Sequence, residues 1–99
     1  MAFERAAGIQ VTDESGYQAY RDGMLPILAR YGGAFRYDFR VSEVLKADTA
    51  QPINRVFLLR FPDAAAKEAF FADPEYKKVR ERFLVSSVSS VTTLAEYEI

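Results

Sequence analysis

The hydrophobic period of this chain switches between two residues and about 3.6 in the order β-α-β-β-α-β, and few folds accept that order. In FERAAGIQV, Phe3, Arg5, Ala7, Ile9 and Val11 alternate with Glu4, Ala6, Gly8 and Gln10, which predicts a first strand. Thr12 and Asp13 are N-cap candidates for the helix that follows, with Glu14 at its positive end. Tyr20, Met24, Ile27, Leu28 and Tyr31 then recur at helical spacing and form one apolar stripe. Pro26 lies within this helix and cannot donate to the Asp22 carbonyl, so a kink or loosened turn is expected there. Gly32 and Gly33 supply the left-handed stop common at helix ends.

Ala34 to about Lys46 reads as a long second strand, ADTAQP as a turn, and INRVFLLRF (53–61) as a third strand. Asp63 caps a second helical region that Asp73 and Pro74 interrupt and restart, with Glu75 meeting the helix dipole. Tyr76, Val79 and Phe83 continue its apolar face, and β character returns after about Val85. The expected architecture is an α+β, ferredoxin-like β-α-β-β-α-β sandwich, a four-stranded antiparallel sheet with helices on one face. Its 99 residues fit one domain, 1–99. The uncovered sheet face is partly aromatic, so a homodimer closing it is expected.

The chain has no cysteine and no histidine. Disulfides, thiolate chemistry, histidine triads, zinc hydrolases and histidine-ligated haem are excluded, so any chemistry would run on Tyr, Arg, Lys, Asp, Glu or Ser. No cofactor is called for. A carboxylate-only metal site from Asp38, Glu96 or Glu98 has no supporting spacing, so no metal is expected. The net charge is −1 and the pI about 5.4, without the basic stripe of a nucleic-acid binder. RNA-recognition domains share this element order, but NRVFLLRF lacks the glycine and spacing of their third strand, and no nucleic-acid partner is expected. No run approaches the ~20 apolar residues of a membrane span. MAFERAAG is too charged for a signal peptide, and a cytoplasmic location is the default expectation.

Several residues are candidates for a ligand site. Strict alternation puts Arg36, Asp38 and Arg40 on one face of the second strand, and Phe35, Tyr37 and Phe39 on the other, which is expected to be buried. An aspartate flanked by guanidinium groups is held charged, a good counter-ion and a poor base, whereas either arginine suits a carboxylate. Arg55 shares the parity of Phe57, Leu59 and Phe61, and there it needs a partner, a ligand anion or an escape to water. Tyr17, Tyr20 and Tyr31 are candidates to line a pocket with their phenol hydroxyls, against the expectation that Tyr20 and Tyr31 pack on the sheet with hydroxyls at the boundary. Tyr76 follows a capped helix start, where packing explains it.

The combination YGGAFRYDF, RFPD and FFADPEYKKV resembles the DUF1330 family of small dimeric α/β-barrel proteins. The matching positions are Tyr31, Gly32, Gly33, Phe61, Pro62, Asp63, Phe70, Phe71, Asp73, Pro74, Glu75 and Tyr76. The resemblance implies the ferredoxin-like fold and dimerisation, and its match at Tyr76 makes that the best tyrosine for a cleft role, but it implies no reaction. Relatives in the wider group include cofactor-independent monooxygenases and haem binders. Many members carry Arg-Gly-Gly near Asp38, Phe39 and Arg40, so a role attached to that arginine does not transfer to Asp38. Two functional readings follow. One is a homodimer that binds a small organic acid or aromatic metabolite, with a cofactor-independent enzyme as its catalytic form. The other is a non-catalytic dimerisation or interaction module.

Overall fold

In the computed structural model, which describes residues 1–99, the left-handed stop after Tyr31 is made by Gly32 at φ 73°. The Gly33 amide donates to the Leu28 carbonyl (2.9 Å) and the Gly32 amide to that of Ala29 (3.0 Å), the paired bonds of a Schellman cap. A Cβ on Gly33 would stand 2.5 Å from the Leu28 side chain and 3.0 Å from Phe61, so a glycine is required between helix and sheet.

The elements are β1 (Phe3–Val11), α1 (Glu14–Arg30), β2 (Ala34–Arg40), β3 (Arg55–Phe61), α2 (Ala64–Ala72), α3 (Pro74–Val79) and β4 (Val88–Glu98). Between α3 and β4 the helix widens into a π-turn, Arg80–Leu84, and ends in one turn, Val85–Ser87. The carboxylates of Asp13, Asp63 and Asp73 accept from amides in the first turns of α1, α2 and α3, as their positions predict. α1 continues unbroken through Pro26.

The strand order is β2-β3-β1-β4, with every pair antiparallel. This is the ferredoxin-like arrangement that the element order predicts. Ala7 and Ile9 from β1 and Phe57, Leu59 and Phe61 from β3 form the sheet side of the core. Tyr17, Tyr20, Met24, Ile27 and Leu28 from α1 close over them, with Phe70, Tyr76 and Leu84 from the later helices. The opposite sheet face carries no helix.

β2 differs from its expected form in two ways. It ends at Arg40 and not near Lys46, and residues 41–54 are a connection whose Ile53 lies over Gly8 on the open face. It also contains a bulge: Phe35 pairs with Leu59 but Tyr37 with Leu58, leaving Arg36 as an extra residue. The alternation therefore resets. Arg36, Asp38 and Arg40 do not share a face, and neither do Phe35, Tyr37 and Phe39. Phe35, Asp38 and Arg40 lie on the helix side, while Tyr37 and Phe39 lie on the open face, 51% and 55% exposed. An edge strand accepts an inserted residue because only one side of its ladder is disturbed.

The reset supplies the partner that Arg55 needs. Its Nε and Nη2 donate to the two Asp38 carboxylate oxygens at 2.9 and 3.0 Å, and Arg21 reaches Asp38 at 3.3 Å. Removing one member of such a largely buried pair leaves an uncompensated charge. Asp38→Asn is expected to lower unfolding free energy by ~2–3 kcal/mol in urea titrations, with the m-value unchanged.

Candidate functional site

A cavity of about 490 Å³ lies between the helix side of the sheet and the helices, a size usual for small-molecule sites. Ile9, Phe35, Phe57 and Leu59 line it from the sheet. Tyr17, Tyr20 and Met24 line it from α1, and Phe71, Tyr76 and Leu84 from the later helical segments. The π-turn contributes Arg80 and Glu81 as well as Leu84, and such widened turns are frequent at functional sites. Lys77, Arg80 and Glu81 are exposed and mark the open side of the cavity. Arg5 also lines it, donating to Thr93 (3.2 Å), pairing with Glu96 (3.4 Å) and stacking on Phe71. Neither Lys77 nor Arg80 has an ion-pair partner.

Three phenols give the interior its polar groups. Tyr20 and Tyr76 share a hydrogen bond of 2.9 Å. The Tyr17 hydroxyl is buried without any partner, and Arg55 lies against the face of its ring. Burial pushes the Tyr17 phenol up to about 12, a rise that the nearby Arg55 charge only partly offsets. Burial also raises Tyr20, helped by Tyr76, and raises Tyr76 against the opposing effect of its bond to Tyr20. All three hydroxyls are therefore protonated near neutral pH and able to donate. No three carboxylates converge anywhere in the fold to cage a cation.

The residues singled out from the sequence are dispersed. Tyr76 lines the cavity. Arg55 and Asp38 form the ion pair behind Tyr17, outside the lining. Arg40 is exposed beside Glu14 (3.8 Å). Arg36 lies on the open face, where it donates to the buried Glu4 (2.9 Å). Arg60 and Tyr97 complete that cluster at 3.2 and 2.9 Å, and the Arg36 hydrogen bond holds the Glu4 carboxyl below its ordinary range. Tyr31 is away from the cavity and donates to Asp73 (2.5 Å). Asp73 caps α3 through the Glu75 and Tyr76 amides, so Tyr31 indirectly fixes where Tyr76 stands.

Of the tyrosines weighed from the sequence as pocket residues, Tyr17 and Tyr20 line the cavity and Tyr31 does not, whereas the cavity roles of Arg5, Lys77 and Arg80 were missed. Tyr17, Tyr20 and Met24 follow i, i+3, i+7 spacing, a visible signal. Arg5, an arginine on an apolar parity, carries the same signal as Arg55.

A ferredoxin-like sandwich with a phenol-lined cavity under its helices is the class of protein that these features define. Residues 6–96 match DUF1330, a domain of unknown function, and the chain belongs to that family. No curated protein matches it. Its structure is similar to that of RPA0582, a protein of unknown function from Rhodopseudomonas palustris, with TM-score 0.82 and 16% identity over 99% of this chain and 82% of that one. A dimeric protein of unknown function from Bacteroides fragilis aligns with TM-score 0.65 and 10% identity, over 99% and 96% of the two chains. A candidate antibiotic biosynthesis monooxygenase from Bacteroides thetaiotaomicron aligns with TM-score 0.67 and 20% identity, over 99% and 90%. At these identities the likeness shows the fold.

A phenol whose folded pKa exceeds its unfolded value of about 10 stabilises the fold fully below that pH, and the contribution is lost as pH rises through the folded value. For Tyr17 the window runs from about pH 10 to about 12. Tyr17→Phe is expected to lose less stability across this window than the parent, measured by urea melts at stepped pH.

Proposed function

We propose that the protein is a homodimeric small-molecule-binding protein whose helix-side cavity holds a small organic acid or aromatic metabolite. The observation that carries this reading is an aromatic-lined cavity of about 490 Å³ whose open side holds the unpaired cations Lys77 and Arg80. A mostly apolar cavity of this size with a few polar groups at its rim has the usual form of a small-molecule site. Aromatic walls suit a flat apolar body, and the free cations Lys77 and Arg80 suit an anion.

Catalysis in this cavity would use phenols as hydrogen-bond donors and the Arg and Lys charges to stabilise a developing anion. The raised pKa of each phenol disfavours a tyrosinate base. The enzymatic form of this reading is a cofactor-independent reaction, and a candidate antibiotic biosynthesis monooxygenase shares the fold. The alternative, a non-catalytic interaction module, gives no use to the cavity.

Dimerisation is the second part of the proposal. Tyr37 and Phe39 stack on the open face at a centroid distance of 5.7 Å, and Val56 and Leu58 pair beside them. Burying aromatic surface of this kind against a second copy is favourable, and relatives of the same fold are dimeric. Sedimentation equilibrium should give a dimer, and Phe39→Lys should shift it to monomer; a monomeric parent would remove this part.

For the cavity, thermal melts against one- and two-ring aromatic carboxylates should show stabilisation that rises with ligand concentration. Val91→Trp, placed on a half-exposed cavity residue of β4, should abolish the shift while leaving the unliganded melting temperature close to the parent's. Shifts that survive Val91→Trp would place binding elsewhere.

A further inference from the structure

The open sheet face is electrically uneven along its strands. At one end Glu4 is buried among Arg36 (2.9 Å), Arg60 (3.2 Å) and the Tyr97 hydroxyl (2.9 Å). One carboxylate there serves two guanidinium groups, and neither arginine reaches a second acid. Their side chains are 39% and 43% exposed, so the surplus positive charge faces outward. The other end of the face carries the 41–54 connection, whose Ile53 packs over Gly8. Val56 marks that end on β3, roughly 13 Å from Arg60 along the strand. The connection forms a groove with Val56, Thr92 and Leu94, and Leu45 in its wall is 88% exposed. Its Lys46 and Asp48 pair with each other (3.3 Å), which leaves Glu43, in the same wall, as its uncancelled charge.

These charges choose between two dimers. A face-to-face homodimer has its two-fold axis lying between the sheets. With the axis along the strands, like ends meet, and two clusters of surplus positive charge are desolvated against each other. With the axis across the strands, unlike ends meet, and each cluster lies beneath the connection of the second copy. Given the homodimer proposed above, we infer that the axis crosses the strands and that Glu43 of each copy supplies the carboxylate that Arg36 and Arg60 of the other lack. The same arrangement covers Leu45, which little in its own chain shields. The Glu4 cluster is then a shared interface site, incomplete in a single chain.

The chain has no cysteine, so introduced thiols report this geometry without background. Ala34, exposed on β2, pairs with Arg60 and so stands at the cluster end of the same face. Treated with a short bis-maleimide, Ala34→Cys/Glu43→Cys should run as a linked dimer in denaturing gels, and each single variant as a monomer. In sedimentation equilibrium, Glu43→Lys should weaken the dimer at least about tenfold at low salt, and less at high salt. Linking by Ala34→Cys alone places like ends together and overturns the inference while leaving the homodimer. So does a dimeric double variant that does not link, or an unchanged dissociation constant in Glu43→Lys. A parent that is monomeric at every concentration removes the homodimer, and this inference with it.

Discussion

The ion pair between Arg55 and Asp38 is the constraint on which both faces of the sheet depend. An arginine on the apolar parity of a central strand must find a counter-charge. The nearest is on the edge strand, and it reaches the helix side only because β2 inserts Arg36 as an extra residue. Once that residue is inserted, Tyr37 and Phe39 turn outward and Arg36 meets Glu4 on the far face. The same pair places Arg55 against the Tyr17 ring at the back of the cavity. One bulge thus assigns a polar anchor to the helix side and an aromatic patch to the open side.

The family motifs form a second frame, at the other end of the molecule. Gly32 and Pro62 are in close approach, Gly33 fits between Leu28 and Phe61, and Tyr31 reaches Asp73. Arg30 pairs with Glu75 across the same junction. Phe61, Phe70, Phe71 and Tyr76 pack ring on ring beside it. These contacts join the end of α1, the end of β3 and the start of α3. Their effect is to fix Tyr76 and the π-turn over the sheet. The motif residues therefore act mainly as the scaffold of the cavity, with Tyr76 and Phe71 also in its wall.

Much of this was legible in the sequence. Helix caps at Asp13, Asp63 and Asp73 depend on local chemistry, and the Tyr-Gly-Gly stop on glycine geometry, so each was readable from a few adjacent residues. Strand β2 was not, because YDFR alternates equally well with or without a bulge; what decides is Arg55, seventeen positions away from Asp38. Its end at Arg40 was also hidden, since Val41 to Lys46 carries enough apolar residues to imitate a strand. The candidate row Arg36, Asp38 and Arg40 inherited that error. The cavity depends on how far α3 and the π-turn stand from the sheet, a long-range quantity that no local pattern encodes. Arg55 was recognised by parity as needing a partner, and applying the same test to Arg5 would have found a cavity residue.

The account assigns the two sheet faces to different tasks, a ligand under the helices and a second protomer against the open face. Amide chemical-shift mapping on isotopically labelled protein, titrated with 4-benzylbenzoate, tests that division most directly. It predicts perturbations at Tyr17, Phe71, Tyr76, Arg80 and Leu84, with Tyr37, Phe39 and Leu58 unmoved. Perturbations centred on Tyr37, Phe39 and Leu58 would contradict it.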